Sequence, residues 1–150
     1  ERELHELMNE DIKPYFELKD KIDVIMCAHI LFSKVDNKIP CFSDTWINNI
    51  LRNKLNYKGL IFSDDLSMLG AGNKSLINKV KMSLDAGCDM LIICNDRSGV
   101  KEVIDYLDKT DVEQILGISE IRSSKKINWN DLLNDNRALA VKEKLRNMRK

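Results

Sequence analysis

The stretch Gly59-Leu60-Ile61-Phe62-Ser63-Asp64-Asp65 decides the reading of this chain. Its apolar run reads as a buried strand that ends abruptly in a serine and two carboxylates. A looser segment with Gly70, Gly72 and Asn73 follows. Parallel α/β folds place their chemistry at such strand ends, because the buried strand holds a side chain rigidly while the next loop exposes it. The structural alternative is that Asp64 and Asp65 cap the following helix. Neighbouring side chains at a strand end point to opposite faces, so the two aspartates are not expected to pair as acid and base.

Working outward, helices and strands alternate. Leu4, Leu7, Met8 and Ile12 recur at helical spacing, and Pro14 reads as a kink before Tyr15, Phe16 and Leu18. Ile22 to Ala28 is a short apolar run with β-branched members and reads as a strand. His29 to Phe42 is a loop long enough to be functional. Ser43 offers a cap for a helix whose apolar face is Trp46, Ile47, Ile50, Leu51 and Leu55. Leu60 to Ser63 is the second strand. A helix from about Lys74 to Ala86 buries Leu76, Ile77, Val80 and Leu84 and stops at Gly87. Met90 to Cys94 is a third strand, and Val100, Val103, Ile104 and Leu107 mark the helix after it. This order implies parallel strands joined by right-handed crossovers.

After Thr110 the pattern changes, which divides the chain into residues 1–110 and a helical extension, 111–150. Ile115 to Ile118 with Ile121 predict an amphipathic helix and Ser123 to Lys126 a solvated turn. A polar helix starts at Asn130 or Asp131 and runs to Arg149. The basic end from Lys142 to Lys150 is interrupted by Glu143 and carries no stacking aromatic, so it reads as an exposed helix end rather than a nucleic-acid surface.

Charge narrows the partners. Lys plus Arg (24) balances Asp plus Glu (24), so no net field draws the chain to nucleic acid or an anionic membrane. No apolar run approaches the ~18 residues of a membrane span. Cys27, Cys41, Cys88 and Cys94 contain no C-x-x-C pair and fall mostly in or beside strands, where a free thiol packs as a small hydrophobe. A reducing compartment, the cytoplasm, is the expected setting. At 150 residues the chain is short for a complete barrel, which takes about 200 or more. It also opens inside a helical pattern at Glu1, so a preceding portion is expected.

Three segments, Met26-Cys27-Ala28-His29, Ser63-Asp64-Asp65-Leu66-Ser67-Met68 and Ser83-Leu84-Asp85-Ala86-Gly87-Cys88-Asp89-Met90, stand in order at strand ends or leading into a strand. Together they make the chain similar to the bacterial β-N-acetylhexosaminidases of glycoside hydrolase family 3, from about Leu4 to about Leu107. The resemblance implies a partial (β/α)8 barrel of TIM type, its C-terminal portion, with about three parallel strands and C-terminal helices. It also implies a retaining hydrolase that removes terminal N-acetylglucosamine from cell-wall fragments and needs neither cofactor nor metal.

In that family the first Asp after the strand-end Ser is the nucleophile, which makes Asp64 the nucleophile here. Ser63, Asp65 and His29 are expected to support the site or touch substrate. His29 sits at the corresponding end of the preceding strand, and its imidazole is able to titrate near neutrality. The family's proton donor is instead a histidine on an Asp-x-His loop, which would precede Glu1. Its Lys-His-Phe-Pro-Gly-His-Gly segment and strand-end arginine have no counterpart here. Two departures are Cys27 in place of the usual proline and Leu69 in place of a common Glu. A non-catalytic remnant of the family is the alternative; a sugar-phosphate aldolase lacks both a Schiff-base lysine and a Gly-rich phosphate loop in this sequence. With only three of eight barrel strands, Val24, Ile25, Ile61, Leu91 and Ile92 are expected to lack part of their packing.

Overall fold

The computed structural model describes residues 2–110, Ile121 and residues 128–148. The chain divides into two compact units, Glu1–Ile118 and Ser119–Lys150. In the first, α1 (Leu4–Asn9) and α2 (Lys13–Leu18) precede β1 (Val24–Cys27). The Thr45–Lys54 helix, β2 (Leu60–Asp65), α3 (Leu76–Ala86), β3 (Met90–Ile92) and α4 (Arg97–Leu107) follow. The strands lie side by side in the order β1-β2-β3, all parallel, with helices in the connections. The described residues are thus an α/β arrangement with a three-stranded parallel sheet, consistent with part of a barrel.

The expected kink at Pro14 is instead a break. The first helix ends at Asn9, and Pro14 lies in the first turn of α2, where its missing N–H costs nothing. The Thr45–Lys54 helix is wound wider than an α-helix: Leu55 N–H reaches back five residues to the Ile50 carbonyl at 2.8 Å. Ser43 does cap it, its Oγ accepting from Trp46 N–H at 3.1 Å while donating to Asp36. Its side chains serve two cores. Ile47 joins Ile25, Ile61, Val80 and Val103 between sheet and helices. Trp46 and Ile50 pack with Leu7 of α1.

Alternation along the strands gives the sheet two unlike faces. Ile25, Cys27, Ile61 and Ser63 are buried on the side the helices cover. The expectation that Ile25 and Ile61 lack packing is therefore corrected: they point toward the helices of their own crossovers, which are present. The uncovered face carries Met26, 53 % exposed, and the half-buried Phe62 and Asp64.

At the N-terminal end of the strands, Asp89 closes the sheet. Its Oδ2 accepts from Ile61 N–H at 2.7 Å and from the Arg52 guanidinium at 2.7 Å. Arg52 also donates to the carbonyls of Tyr57 and Gly59. In the second unit, the single polar helix expected from Asn130 is two, α5 (Trp129–Asn134) and α6 (Asn136–Asn147). Asp135 separates them because its carboxylate caps α6, accepting from Arg137 and Ala138 N–H. The helix expected at Ile115 to Ile118, the turn at Ser123 to Lys126 and Arg149 lie outside the described residues.

Candidate functional site

β2 runs two residues past the expected stop at Ser63, so both aspartates belong to the strand end rather than to a helix cap. Ser75 caps α3 instead, accepting from Asn78 N–H at 3.4 Å. The pairing explains the extension. Phe62 stands opposite Met90 and Asp65 opposite Ile92, so Ser63 and Asp64 together face the single residue Leu91. Such a bulge re-aims the side chains beside it and is over-represented next to active sites. Ser63, fully buried, repairs the interrupted ladder: its Oγ accepts from Ile92 N–H at 3.0 Å.

The two carboxylates then differ in how they are engaged. Asp65 is spent inside the protein. Its Oδ1 accepts from Ser67 N–H at 2.9 Å and Cys94 N–H at 3.0 Å, and Ser67 Oγ lies 2.7 Å away, which ties the end of β2 to the chain beyond β3. Burial acts to raise the Asp65 carboxyl, but the hydrogen bonds from Cys94 and Ser67 outweigh it and hold it below the usual carboxylate range. Asp64 accepts only one bond, from Asp65 N–H to its Oδ1 at 2.8 Å, and its Oδ2 has no hydrogen-bond partner among the described residues. A rigidly mounted, half-buried carboxylate with one oxygen unengaged is suited to attack an electrophilic carbon or to accept a proton.

His29 lies just beyond β1, within the field of both aspartates. Both ring nitrogens are buried and without a hydrogen-bond partner in the described residues. Gly70 presses on it: a β-carbon there would come within 3.0 Å of the His29 Cβ. Burial pushes the imidazole below its ordinary value, the Asp64 and Asp65 charges pull it back up, and the Lys79 ammonium adds to the lowering. The ring is therefore neutral near pH 7, with one donor and one acceptor to offer.

Lys79 is the residue that sequence reasoning missed. It is 8 % exposed, and its Nζ donates to the Leu66 carbonyl at 3.0 Å. Leu76, Lys79, Val80 and Ser83 form an i, i+3, i+4, i+7 stripe, so a lysine on the inward face of α3 was the available signal. Leu69, where the family often has Glu, is 91 % exposed and touches none of these groups in the structure's hydrogen-bond network. Cys27 packs with Cys41 and Cys88 in the core, and burial pushes the Cys41 thiol up to about 12. Among the described residues no three His, Cys, Asp or Glu side chains are grouped to hold a metal ion. A cavity of about 350 Å³ beside β1, lined by Leu7, Tyr15, Met26 and Trp46 among others, is separate from the carboxylates.

The arrangement places a carboxylate at the end of the central parallel strand, with polar groups beyond the neighbouring strands around it. Residues 1–121 match the glycosyl hydrolase family 3 N terminal domain, and the chain belongs to that family. It is 39 % identical over 145 residues to the beta-hexosaminidase of Haemophilus influenzae, covering 91 % of this chain and 41 % of the relative. The chain therefore spans about two fifths of the length of the curated relatives it matches. Crystal structures of NagZ from Neisseria gonorrhoeae superpose on it. One, in complex with N-trifluoroacetyl-D-glucosamine, has a TM-score of 0.63 at 34 % identity, covering 70 % of this chain and 30 % of that one. A second NagZ structure reaches 0.72 at 27 % identity over 93 % of this chain and 41 % of the other.

Proposed function

We propose that this chain is the nucleophile-bearing portion of a retaining β-N-acetylhexosaminidase that removes terminal, non-reducing N-acetylglucosamine from peptidoglycan fragments. In the whole protein an eight-stranded barrel closes around β1, β2 and β3, and the uncovered face with Met26, Phe62 and Asp64 becomes its lumen. The observation that carries this reading is the unengaged Oδ2 of Asp64 on the uncovered face of a family 3 sheet. The substrate class is supported by the relatives named beta-hexosaminidase and by the NagZ complex with a glucosamine derivative.

The reaction runs in two displacements. Asp64 Oδ2 attacks the anomeric carbon, forming a glycosyl ester as the glycosidic C–O bond breaks; the departing oxygen takes a proton from an acid outside these 150 residues. Water then attacks the same carbon, gives its proton to the conjugate base of that acid, and frees Asp64. In this reading His29 is not that acid: the resemblance puts the proton donor on an Asp-x-His loop, and burial holds the His29 imidazole below its ordinary value. It supports the site as a hydrogen-bonding group, while Ser63 and Asp65 hold Asp64 in place. The proposed steps call for no cofactor or metal, and the balanced charge gives no pull toward nucleic acid or an anionic membrane. Three buried free thiols fit a reducing cytoplasm.

The test is trapping in the complete protein with a 5-fluoro N-acetylhexosaminyl donor, followed by peptide mapping of Gly59 to Met68. The adduct is expected on Asp64, and Asp64→Ala is expected to lose several orders of magnitude in turnover. An adduct on Asp65 overturns the assignment, and a complete, folded protein with no turnover favours a non-catalytic remnant.

A further inference from the structure

Lys79 poses a physical problem that the proposed reaction does not answer. An ammonium removed from water is costly unless a carboxylate or several acceptors replace its hydration. Here it is buried, has no carboxylate within 4.0 Å among the described residues, and donates to one backbone oxygen, that of Leu66. Leu66 is itself the residue after Asp65. Its side chain is fully buried, its N–H donates to the Ile92 carbonyl at 2.8 Å, and its carbonyl accepts the hydrogen bond from the Lys79 ammonium. The turn leaving β2 is thus fixed by three means: the Asp65 clasp on Ser67 and Cys94, the Leu66 N–H on β3, and the Lys79 ammonium reaching across from α3.

We propose that Lys79 is a positioning residue for the candidate site: its ammonium, reaching from α3 to the Leu66 carbonyl, pins the turn that carries Asp64 and Asp65. The charged groups that act on His29 are Asp64 and Asp65 from β2 and Lys79 from α3; Gly70, which presses on its Cβ, carries none. Lys79 is the one cation among them, but burial is the larger influence on the ring, so removing the ammonium is expected to move His29 only a short way toward imidazolium. A protonated His29 would offer two donors and no acceptor, and would form an ion pair with the carboxylate that has to attack. The functional consequence rests on the reading of Asp64 as nucleophile; the positioning itself does not.

The test therefore reads the protein without turnover. The chain has two histidines, His5 and His29, so in a His5→Gln background the imidazole carbon-bound protons report His29 alone by NMR. Lys79→Gln keeps a donor for the Leu66 carbonyl and loses the charge. It is expected to raise the His29 midpoint while leaving hydrogen-exchange protection of the Ser67 and Cys94 amides near native. Lys79→Met is expected to raise the midpoint and also to lose that protection, and Lys79→Arg to restore both. Unchanged Ser67 and Cys94 protection in Lys79→Met overturns the proposal. If Lys79→Met does not fold, exchange in the parent protein still decides it: Ser67 and Cys94 amides that exchange as fast as those of an unstructured chain overturn the pinned turn. In the complete enzyme Lys79→Met should lower kcat about 10²-fold, the scale of a small misplacement, with KM little changed. Loss of all activity in the parent protein would count against the glycosidase reading and leave the NMR result standing.

Discussion

Replacing Ser63 with alanine isolates the bulge from the rest of the strand. Ser63 is fully buried, and its Oγ is the acceptor that Ile92 N–H finds at 3.0 Å where the ladder is interrupted. The substitution removes one oxygen, less space than a water molecule's share of about 30 Å³, so solvent does not replace it. A stranded backbone donor costs about 1–3 kcal/mol. Taking about 2 kcal/mol, and about 3 °C per kcal/mol for a chain of this size, Tm should fall by about 6 °C. The assay is thermal unfolding by circular dichroism, with amide exchange at Ile92 measured alongside. Exchange at Ile92 should accelerate while amides in the middle of α3 stay protected. A Tm within about 1 °C of the parent, together with unchanged exchange at Ile92, refutes the claim that Ser63 repairs the ladder.

Three further outcomes follow from the same structure. Asp89→Ala strands both Ile61 N–H and the Arg52 guanidinium, and should cost about 2–3 kcal/mol in urea unfolding; a loss below about 0.5 kcal/mol contradicts a structural role for that pair. Gly59→Ala places a β-carbon against the Tyr57 ring and 2.6 Å from the Asp23 carbonyl oxygen, and should cost about 3 kcal/mol, read as a lowered melting midpoint. His29 titrates lower in the folded chain than its unfolded value near 6.5, so the unfolded state binds the proton first on acidification. Its stabilising contribution is complete above that value and declines as pH falls through the window below it. His29→Gln should flatten this slope between pH 7.5 and 5.5 in urea titrations, and a parent protein that gains stability over that interval contradicts it. Asp65, also lowered, acts in a separate and more acidic window, below its ordinary value of 3.8.

The fold was legible where side chains report the face they occupy. The order of strands and helices, the Ser43 cap and the stop of α3 after Ala86 all follow from apolar spacing and local hydrogen-bonding chemistry. Asp64 was legible as a candidate because a polar residue ending an apolar strand has few other uses, and the resemblance singled it out. What escaped was set by distant partners. The two-against-one pairing at Leu91 depends on β3, which is 28 residues away, and no local pattern announces it. Asp65 looks like Asp64 in sequence and differs only because Cys94 and Ser67 consume its oxygens. The wide winding of the Thr45–Lys54 helix leaves its apolar residues at spacings that fit an ordinary helix equally well. Lys79 was passed over because lysine on a helix is normally solvated, and only the depth of the stripe it sits on says otherwise.

The pairing of Ser63 and Asp64 with Leu91 makes the site a matter of counting. In a strand, facing is a parity: each residue added or removed exchanges inside for outside for everything downstream. Between Phe62 and Asp65 the chain inserts one residue more than its neighbour strand has between Met90 and Ile92. Deleting either residue of that pair would restore an unbroken ladder with Asp65 still opposite Ile92, at the cost of the Ser63 oxygen that Ile92 N–H uses or of Asp64 itself. What a search for chemistry must preserve at this strand end is therefore an odd number of links as much as any particular side chain.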